Sequence, residues 1–153
     1  MKRIAIFPGS FDPITKGHED IVNRASEIFD EIIVAVGVNS QKKSLFDIEK
    51  RIEFIKQTFV TNPKISVDTY EGLTAEYCKK VNAKYILRGI RNSADFEYEK
   101  TISQLNQKMA PQIDTVFFIT SPELSSISST IVREIYSHGG DVSVFVPDNI
   151  ELG

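Results

Sequence analysis

Residues 4–18 have the sequence IAIFPGSFDPITKGH, in which a short apolar run passes through a turn into an amphipathic segment. The run at residues 4–7 is typical of a buried parallel strand, and Gly9 and Pro13 favour a turn. A helix that begins at Gly17 and His18 would direct free backbone N–H groups and the positive end of its dipole at that turn. The stretch therefore predicts an α/β fold with a phosphate-binding site at the start of its first helix.

Two common nucleotide-binding motifs are excluded at this turn. Neither the dinucleotide fingerprint G-x-G-x-x-G nor the P-loop pattern G-x-x-x-x-G-K-[S/T] fits residues 9–18, which argues against a hydride-transfer cofactor and a P-loop NTPase. His18 has two interpretations. It shares a helical face with Ile21 and Val22, as a core histidine would, and it also stands at the predicted phosphate site. The residues alone leave both roles open.

Length and hydrophobic content predict one domain over residues 1–153, and the charge argues against a nucleic-acid partner. The chain is 41% hydrophobic and is long enough to form a single well-packed core. Its 18 Lys and Arg residues are dispersed among 21 Asp and Glu residues, for a net charge of −3, so no clustered basic face for a nucleic acid is expected. A small phosphorylated ligand, in contrast, needs only a few well-placed cations.

Cysteine content and hydropathy narrow the cellular setting. The single cysteine, Cys78, excludes an intramolecular disulfide and a cysteine-zinc cluster, and we expect it to be a small buried apolar side chain. The N-terminus lacks a signal-type apolar region, and no segment approaches the ~20 apolar residues of a membrane span. We therefore expect a cytoplasmic location and no membrane partner.

Apolar runs at regular intervals predict a parallel sheet with helices on both faces. The predicted strands cover residues 4–7, 32–38, 65–69, 85–87 and 116–119. Asp47 is predicted to cap a helix through Phe59, Ser93 a helix from residue 94 to about 108, and Ser128 or Ser129 a helix over residues 130–137. Residues 147–153 are predicted to begin a final short helix. Ligands of such a sheet gather at the carboxyl ends of its strands, where the strand order reverses.

Cationic residues follow two of the predicted strands. Lys42 and Lys43 lie in the loop after the second strand, where a solvated lysine pair is the usual interpretation. Arg88 and Arg91 flank Gly89 after the fourth strand. Gly89 allows the backbone to approach a ligand, and two guanidinium groups can bind phosphates with planar hydrogen bonds, although surface arginines are an equally good interpretation.

A hydroxyl-rich segment, SSISSTIVR at residues 125–133, follows the fifth strand. Helix capping alone explains any single serine in it. At the edge of the same sheet, however, the hydroxyl and free N–H groups would offer a second phosphate-binding helix start. Two helix starts and at least three cations would then converge, as needed to hold a triphosphate beside a second phosphate.

Three motifs together carry a family resemblance. The turn SFDPITKGH at residues 10–18 resembles the (S/T)-F-D-P-x-T-x-G-H signature of the nucleotidyltransferase superfamily. Residues 88–99, RGIRNSADFEYE, and residues 127–133, ISSTIVR, resemble motifs of bacterial phosphopantetheine adenylyltransferases in order and spacing. The resemblance spans nearly the whole chain, and the central block is its most family-specific part.

The resemblance implies a Rossmann-like sheet and a reaction. In that reaction the phosphate of 4'-phosphopantetheine attacks the α-phosphorus of ATP and yields dephospho-coenzyme A and pyrophosphate, the penultimate step of coenzyme A synthesis. The attacking phosphate oxygen needs no general base, so catalysis can depend on alignment and charge stabilisation. The resemblance also implies Mg²⁺ with the ATP, a homohexamer, and possible feedback binding of coenzyme A.

The same resemblance implies roles for individual residues, with no side chain expected as a metal ligand. The expected catalytic residues are His18, Ser10, Lys42 and Arg91. The residues expected to bind the acceptor are Ser10, Lys42, Thr74 and Arg88. The residues expected to bind ATP are Ser10, Phe11, His18, Gly89, Ile90, Arg91, Glu99, Leu124, Ser125, Ser126, Ile127, Ser128, Ser129 and Thr130.

Two alternative functions are compatible with parts of the pattern. One is another nucleotidyltransferase, such as a nicotinate mononucleotide adenylyltransferase or a cytidylyltransferase. Those families usually carry histidine where Thr15 stands and lack the block at residues 88–99. The other is a non-catalytic ATP-binding sensor. Acceptor-dependent release of pyrophosphate distinguishes all three.

Overall fold

The computed structural model describes residues 1–153, which form one parallel sheet flanked by helices. The strands are β1 (Ile4–Gly9), β2 (Glu31–Gly37), β3 (Ile65–Tyr70), β4 (Tyr85–Ile90) and β5 (Asp114–Ile119). The helices are α1 (Lys16–Ala25), α2 (Ile48–Thr58), α3 (Thr74–Val81), α4 (Ser93–Met109) and α5 (Ser129–Ser137), with a 3₁₀ turn at Pro122–Leu124. The predicted α/β fold class is confirmed.

The order of the strands places the ligand-binding edge. The sheet runs β3-β2-β1-β4-β5 and every pairing in it is parallel. The chain proceeds outward from β1 to β3 and then returns to place β4 on the other side of β1. Because crossovers on the two sides of this point diverge, a crevice opens at the carboxyl ends of β1 and β4.

Apolar residues pack against both faces of the sheet. Along β1, Ala5 and Phe7 belong to one core cluster and Ile6 to the other, as the two-residue period of a strand requires. Helices α1, α2 and α5 cover the first face, and α3 covers the second. Cys78 of α3 is fully buried, and burial raises the pKa of its thiol to about 12. The prediction of a small buried apolar side chain is confirmed.

Most of the predicted helix boundaries are confirmed, since they depend on local capping. The Asp47 side chain accepts a hydrogen bond from the Lys50 N–H at the start of α2. Ser128 caps α5 in the same manner, through the N–H of Ile131. For α4 the cap is Asn92, one residue before the predicted Ser93. The Asn92 side chain accepts from the Asp95 N–H.

The predicted final helix at residues 147–153 is wrong. This segment forms turns and irregular structure along the side of the molecule. Contacts with distant elements determine its path: Ile150 is buried, the Asn149 side-chain amide donates to the Gln57 carbonyl, and the Tyr136 hydroxyl donates to the Gly153 carbonyl. No helix in the structure has both the length and the apolar composition needed to cross a bilayer.

Candidate active site

The turn between β1 and α1 holds His18 in one tautomer. Thr15 caps α1, and its Oγ1 accepts a hydrogen bond from the His18 N–H at 3.4 Å. The Thr15 N–H in turn donates to His18 Nδ1 at 3.0 Å, so histidine takes the place that Glu or Gln has in an ordinary capping box. Since Nδ1 accepts a hydrogen bond, the ring proton belongs on Nε2.

The surroundings of His18 keep its ring neutral. Burial, and then the positive charges of Arg88 and Arg91, lower the pKa of His18 to about 4. The ring meets Phe11 edge-on, with 4.9 Å between the centroids. It also lines a cavity at the carboxyl ends of β1 and β4. The histidine is therefore a neutral N–H donor at the cleft, and not simply a member of the core.

A cavity of about 450 Å³ opens at the carboxyl ends of β1 and β4. Three segments of the chain contribute most of its lining, namely β1 with the β1–α1 turn, the end of β4 with the first turns of α4, and the start of α5. Lys42 of the β2–α2 loop and Thr120 after β5 complete it. Of the residues singled out from the sequence, those that line the cavity are Ser10, Phe11, His18, Lys42, Arg88, Gly89, Arg91, Glu99, Ile127, Ser128, Ser129 and Thr130.

Some of the residues expected to bind ATP lie outside this lining. The side chain of Ile90 is buried in the sheet, and its carbonyl accepts from the Thr120 N–H. Leu124, Ser125 and Ser126 lie in and just after the 3₁₀ turn, and the Ser125 hydroxyl donates to the Pro122 carbonyl. These four residues therefore lie outside the lining of the cavity, and their contact with ATP stays a prediction.

Carboxylates fix the orientation of both arginines. Arg88 Nε donates to the two carboxylate oxygens of Glu99 at 3.0 and 2.7 Å, and its Nη1 donates to the Pro8 carbonyl at 2.6 Å. Arg91 Nε donates to Asp95 at 3.2 Å. Glu99 is buried, whereas 35% of the Arg88 side-chain surface stays exposed. The Nη2 group of Arg88 is not used in these contacts and is available to an anion.

Positive charge predominates around the cavity. Four cationic side chains line it: Lys42, Arg88, Arg91 and Arg133. The carboxylates in the lining are those of Asp95 and Glu99. The whole chain, in contrast, has a net charge of −3. Such local concentration of one sign of charge in a concave site favours an anionic ligand and raises its association rate.

A second cavity of about 200 Å³ adjoins the first and contains Thr74. The two cavities share Pro8, Gly9 and Arg88, together with Tyr98 and Glu99 of α4. The Thr74 hydroxyl pairs with the Tyr70 hydroxyl at 3.0 Å. The lining of the second cavity is less charged than that of the main cavity. The second cavity therefore suits an uncharged extension of a ligand whose anionic end lies beside Arg88.

Sequence reasoning missed several residues of the site. From the sequence, Arg133 is only the last residue of the ISSTIVR motif. In the structure its Nη1 donates to the Asp12 carbonyl at 2.9 Å and its Nη2 donates to Thr130 Oγ1 at 3.1 Å. Asp95 and Tyr98 also line the cavity. All three belong to motifs already singled out, so their positions within the motifs were the available signal.

The fold and the site together define a nucleotidyltransferase-type α/β protein. Its T-x-G-H turn lies in an anion-binding cavity at the switch point, the place between β1 and β4 where the strand order reverses. Residues 6–135 match the family model described as cytidylyltransferase-like. A solved structure of a bifunctional NMN adenylyltransferase/ADP ribose pyrophosphatase from Francisella tularensis superimposes with a TM-score of 0.75 at 17% identity. The match covers 98% of this chain and 46% of that chain, about half of its length, and it supports the fold alone.

Sequence relatives identify the family. The chain is 54% identical to the phosphopantetheine adenylyltransferase of Flavobacterium johnsoniae, over 98% of each chain. It is 53% identical to that of Leptospira biflexa, over 97% of this chain and 92% of the relative. It is 49% identical to that of Cytophaga hutchinsonii, over 98% of this chain and all of the relative. The chain therefore belongs to the phosphopantetheine adenylyltransferase family, and the resemblance stated from the sequence is confirmed.

Proposed function

We propose that the main cavity holds ATP and 4'-phosphopantetheine side by side, so that an AMP unit passes directly from one to the other. The enzyme is an adenylyltransferase of coenzyme A synthesis, and its products are dephospho-coenzyme A and pyrophosphate. The observation that supports this use of the cavity is the convergence of the His18 Nε2–H with four cationic side chains at the β1/β4 switch point. The family assignment does not favour the nicotinate mononucleotide enzyme or the ATP sensor.

The chemistry needs alignment more than activation. A phosphate oxygen of the acceptor forms a bond to the α-phosphorus of ATP, while the bond from that phosphorus to the bridging oxygen breaks and pyrophosphate departs. The attacking oxygen already carries negative charge at neutral pH, so no general base is required. Holding two mutually repelling anions in line is therefore the main task of the protein.

His18 and Ser10 are assigned to the reacting phosphorus. The Nε2–H of a neutral imidazole donates to an α-phosphoryl oxygen, whose negative charge grows in the transition state. Ser10 is exposed at the mouth of the same turn, and its hydroxyl orients the acceptor phosphate. The fixed tautomer of His18 supports this role, because the donor is already in place before the substrates bind.

Lys42 and Arg88 are assigned to the acceptor phosphate. The side chain of Lys42 and the Nη2 group of Arg88 are not engaged in any ion pair. Glu99 and the Pro8 carbonyl hold the rest of the Arg88 guanidinium in place. The positive charges of Lys42 and Arg88 offset the repulsion between the acceptor phosphate and ATP. Thr74, in the adjoining cavity, is assigned to the pantetheine arm.

Arg91 and the start of α5 are assigned to the β- and γ-phosphates. The first N–H groups of a helix have no partner within it, and the dipole adds partial positive charge there. The Ser129 hydroxyl donates to the Pro13 carbonyl at 2.8 Å, which joins this helix start to the catalytic turn. Gly89, Glu99 and residues 124–130 are proposed to surround the rest of ATP, on the family resemblance.

Magnesium is proposed to accompany the triphosphate. The carboxylates that line the cavity belong to Asp95 and Glu99, and each of them contacts an arginine. We therefore assign the ion no protein ligand. Mg²⁺ commonly keeps several waters and binds phosphate oxygens, so this cavity is compatible with an ion carried by ATP.

A homohexamer is proposed on the family resemblance, and α4 offers a surface for self-association. Four apolar residues recur along one face of this helix and are exposed in the single chain: Tyr98, Ile102, Leu105 and Met109. An apolar stripe of this kind is unusual on a monomer and common in subunit interfaces. Sedimentation equilibrium measures the number of chains directly.

Feedback binding of coenzyme A and a cytoplasmic location are also proposed. Coenzyme A combines the phosphopantetheine and adenosine groups for which the two cavities are assigned, so we expect it to compete with the substrates. ATP, the donor, is abundant in the cytoplasm. Competition between coenzyme A and 4'-phosphopantetheine in initial-rate measurements tests the first of these proposals.

The acceptor dependence of pyrophosphate release tests the proposed function. The protein is incubated with ATP and Mg²⁺, with 4'-phosphopantetheine, nicotinate mononucleotide or no acceptor, and His18→Ala serves as the control for contaminating activity. We expect release only with 4'-phosphopantetheine, and at a rate about a hundredfold lower in His18→Ala. Release with nicotinate mononucleotide instead, or ATP binding without turnover for either acceptor, contradicts the proposal.

A further inference from the structure

The segment that carries Lys42 is attached to the catalytic turn by a buried carboxylate. Lys42 lies in the exposed loop between β2 and α2. Asp12, in the turn, is buried, and its two carboxylate oxygens accept hydrogen bonds from the N–H groups of Leu45 at 2.8 Å and Phe46 at 2.9 Å. These bonds join two stretches that are more than thirty residues apart in sequence.

A buried guanidinium completes the connection from the other side. Arg51 of α2 is buried, its Nε donates to the Phe46 carbonyl at 3.1 Å, and its Nη1 donates to the Ser10 carbonyl at 2.9 Å. Both of these acceptors are backbone carbonyls. A buried charge whose hydrogen bonds go to two separate segments is costly to misplace, so it fixes the distance between those segments.

We infer that Asp12 and Arg51 are positioning residues for the acceptor phosphate, and that they act by holding the Lys42 loop against the turn that carries Ser10. We call this pair the loop brace. Lys42 has a flexible four-carbon side chain and no ion-pair partner of its own. Because the backbone is fixed at Leu45, three residues away, the Lys42 side chain samples fewer positions. Less conformational entropy is then lost when it binds the phosphate.

A purely structural role is the alternative, because the same bonds also stabilise the fold. The two roles differ in their dependence on Lys42. If the brace acts through Lys42, its loss matters to the acceptor only while the lysine is present. If the brace only stabilises the molecule, its loss changes the melting temperature and leaves the dependence on the acceptor concentration unaltered.

A double-mutant cycle separates the roles. The variants are Asp12→Asn, Arg51→Lys and Lys42→Ala, with each brace substitution also combined with Lys42→Ala. Asp12→Asn keeps one acceptor oxygen but places an amide N–H₂ against a backbone donor. Arg51→Lys keeps the charge but loses the fork that reaches two carbonyls. Asp47→Ala is the matched control, since it removes the cap of α2 without touching the turn.

The readouts are KM for 4'-phosphopantetheine, kcat, the melting temperature, and hydrogen exchange over residues 40–46. Each brace substitution is expected to raise KM for the acceptor about tenfold, to change kcat less, and to speed exchange in this segment. In the Lys42→Ala background the same substitutions are expected to leave KM nearly unchanged. Asp47→Ala is expected to lower the melting temperature without altering KM.

The inference rests on the proposed role of Lys42, and the cycle tells the two apart. If Lys42→Ala alone leaves KM for the acceptor unchanged, the proposed role of Lys42 is wrong, and the brace as a positioning device is wrong with it. If Lys42→Ala raises KM but the brace substitutions raise it equally with and without Lys42, only the brace inference is overturned. Should Asp12→Asn fail to fold, Arg51→Lys and the exchange measurement decide the outcome alone.

Discussion

Removing the imidazole of His18 should slow the chemical step far more than it weakens ATP binding. The Nε2–H is a single neutral donor, whereas four cationic side chains line the cavity and can bind ATP without it. Loss of one donor to a developing oxyanion typically lowers kcat about a hundredfold or more, roughly 3 kcal/mol in the activation barrier. We therefore expect His18→Ala to lower kcat by about this factor.

Two further substitutions separate the donor from the local role of the ring. Nδ1 accepts from the Thr15 N–H, so His18→Ala also removes a capping contact that is worth about 1 kcal/mol of stability. Asparagine places its carbonyl oxygen near the position of Nδ1, and glutamine places its amide near Nε2. His18→Asn is expected to keep the stability and lose the rate, and His18→Gln to recover part of the rate.

The assay combines single-turnover pyrophosphate release with calorimetric titration of ATP. For His18→Asn we expect a fall of about a hundredfold in the single-turnover rate and less than about a threefold change in the ATP dissociation constant. Equal losses in binding and in rate would refute the assignment of His18 to the transition state. A loss of less than tenfold in rate would refute it as well.

Four other predictions follow from the same geometry. The unfolded chain takes up a proton on His18 near pH 6.5 and the folded chain only near pH 4, so acidification between these values should lower the free energy of unfolding by about 3 kcal/mol through this residue. Urea titrations from pH 7 to 4 should show this loss in the parent protein and not in His18→Asn. Arg88→Ala should raise KM for 4'-phosphopantetheine at least about tenfold through loss of a charged contact, with unchanged KM counting against the contact. A Cβ on Gly89 would lie 3.3 Å from the Ile21 side chain on the floor of the cavity. Gly89→Ala should therefore raise KM for ATP and lower the free energy of unfolding by about 1 kcal/mol, as measured by initial rates and urea titration against the parent protein. Asp47→Ala should lower the free energy of unfolding by about 1 kcal/mol in urea titrations and leave both KM values unaltered.

Local chemistry explains the parts of the structure that the sequence predicts well. Most strands centre on a short apolar run, whereas β3, ISVDTY, alternates apolar and polar residues. The β1 strand with its turn contains both the residues that pack and the residues that face the cavity. The caps at Asp47 and Ser128 involve partners three residues away. Such signals lie within a few positions of one another, so a single sequence is enough to identify them.

Long-range contacts explain the parts that were missed. Leu73 precedes α3 without a side-chain cap, so this helix lacks a start signal. The tail follows α2 through the bond from Asn149 to Gln57, and no local pattern encodes that path. In the same way, the function of Glu99 as the partner of Arg88 depends on the packing of α4 against β4. These outcomes are decided by tertiary structure, which overrides local preference.

The stereochemical course at the α-phosphorus tests direct transfer between two substrates held in this cavity. The protein is supplied with 4'-phosphopantetheine and an ATP analogue that carries sulfur on the α-phosphorus in one configuration, and the configuration of the product is determined by phosphorus NMR. In-line attack by the acceptor, with His18 as a donor and no covalent intermediate, predicts inversion. Retention would require two displacements, with AMP first attached to the protein, and would contradict direct transfer.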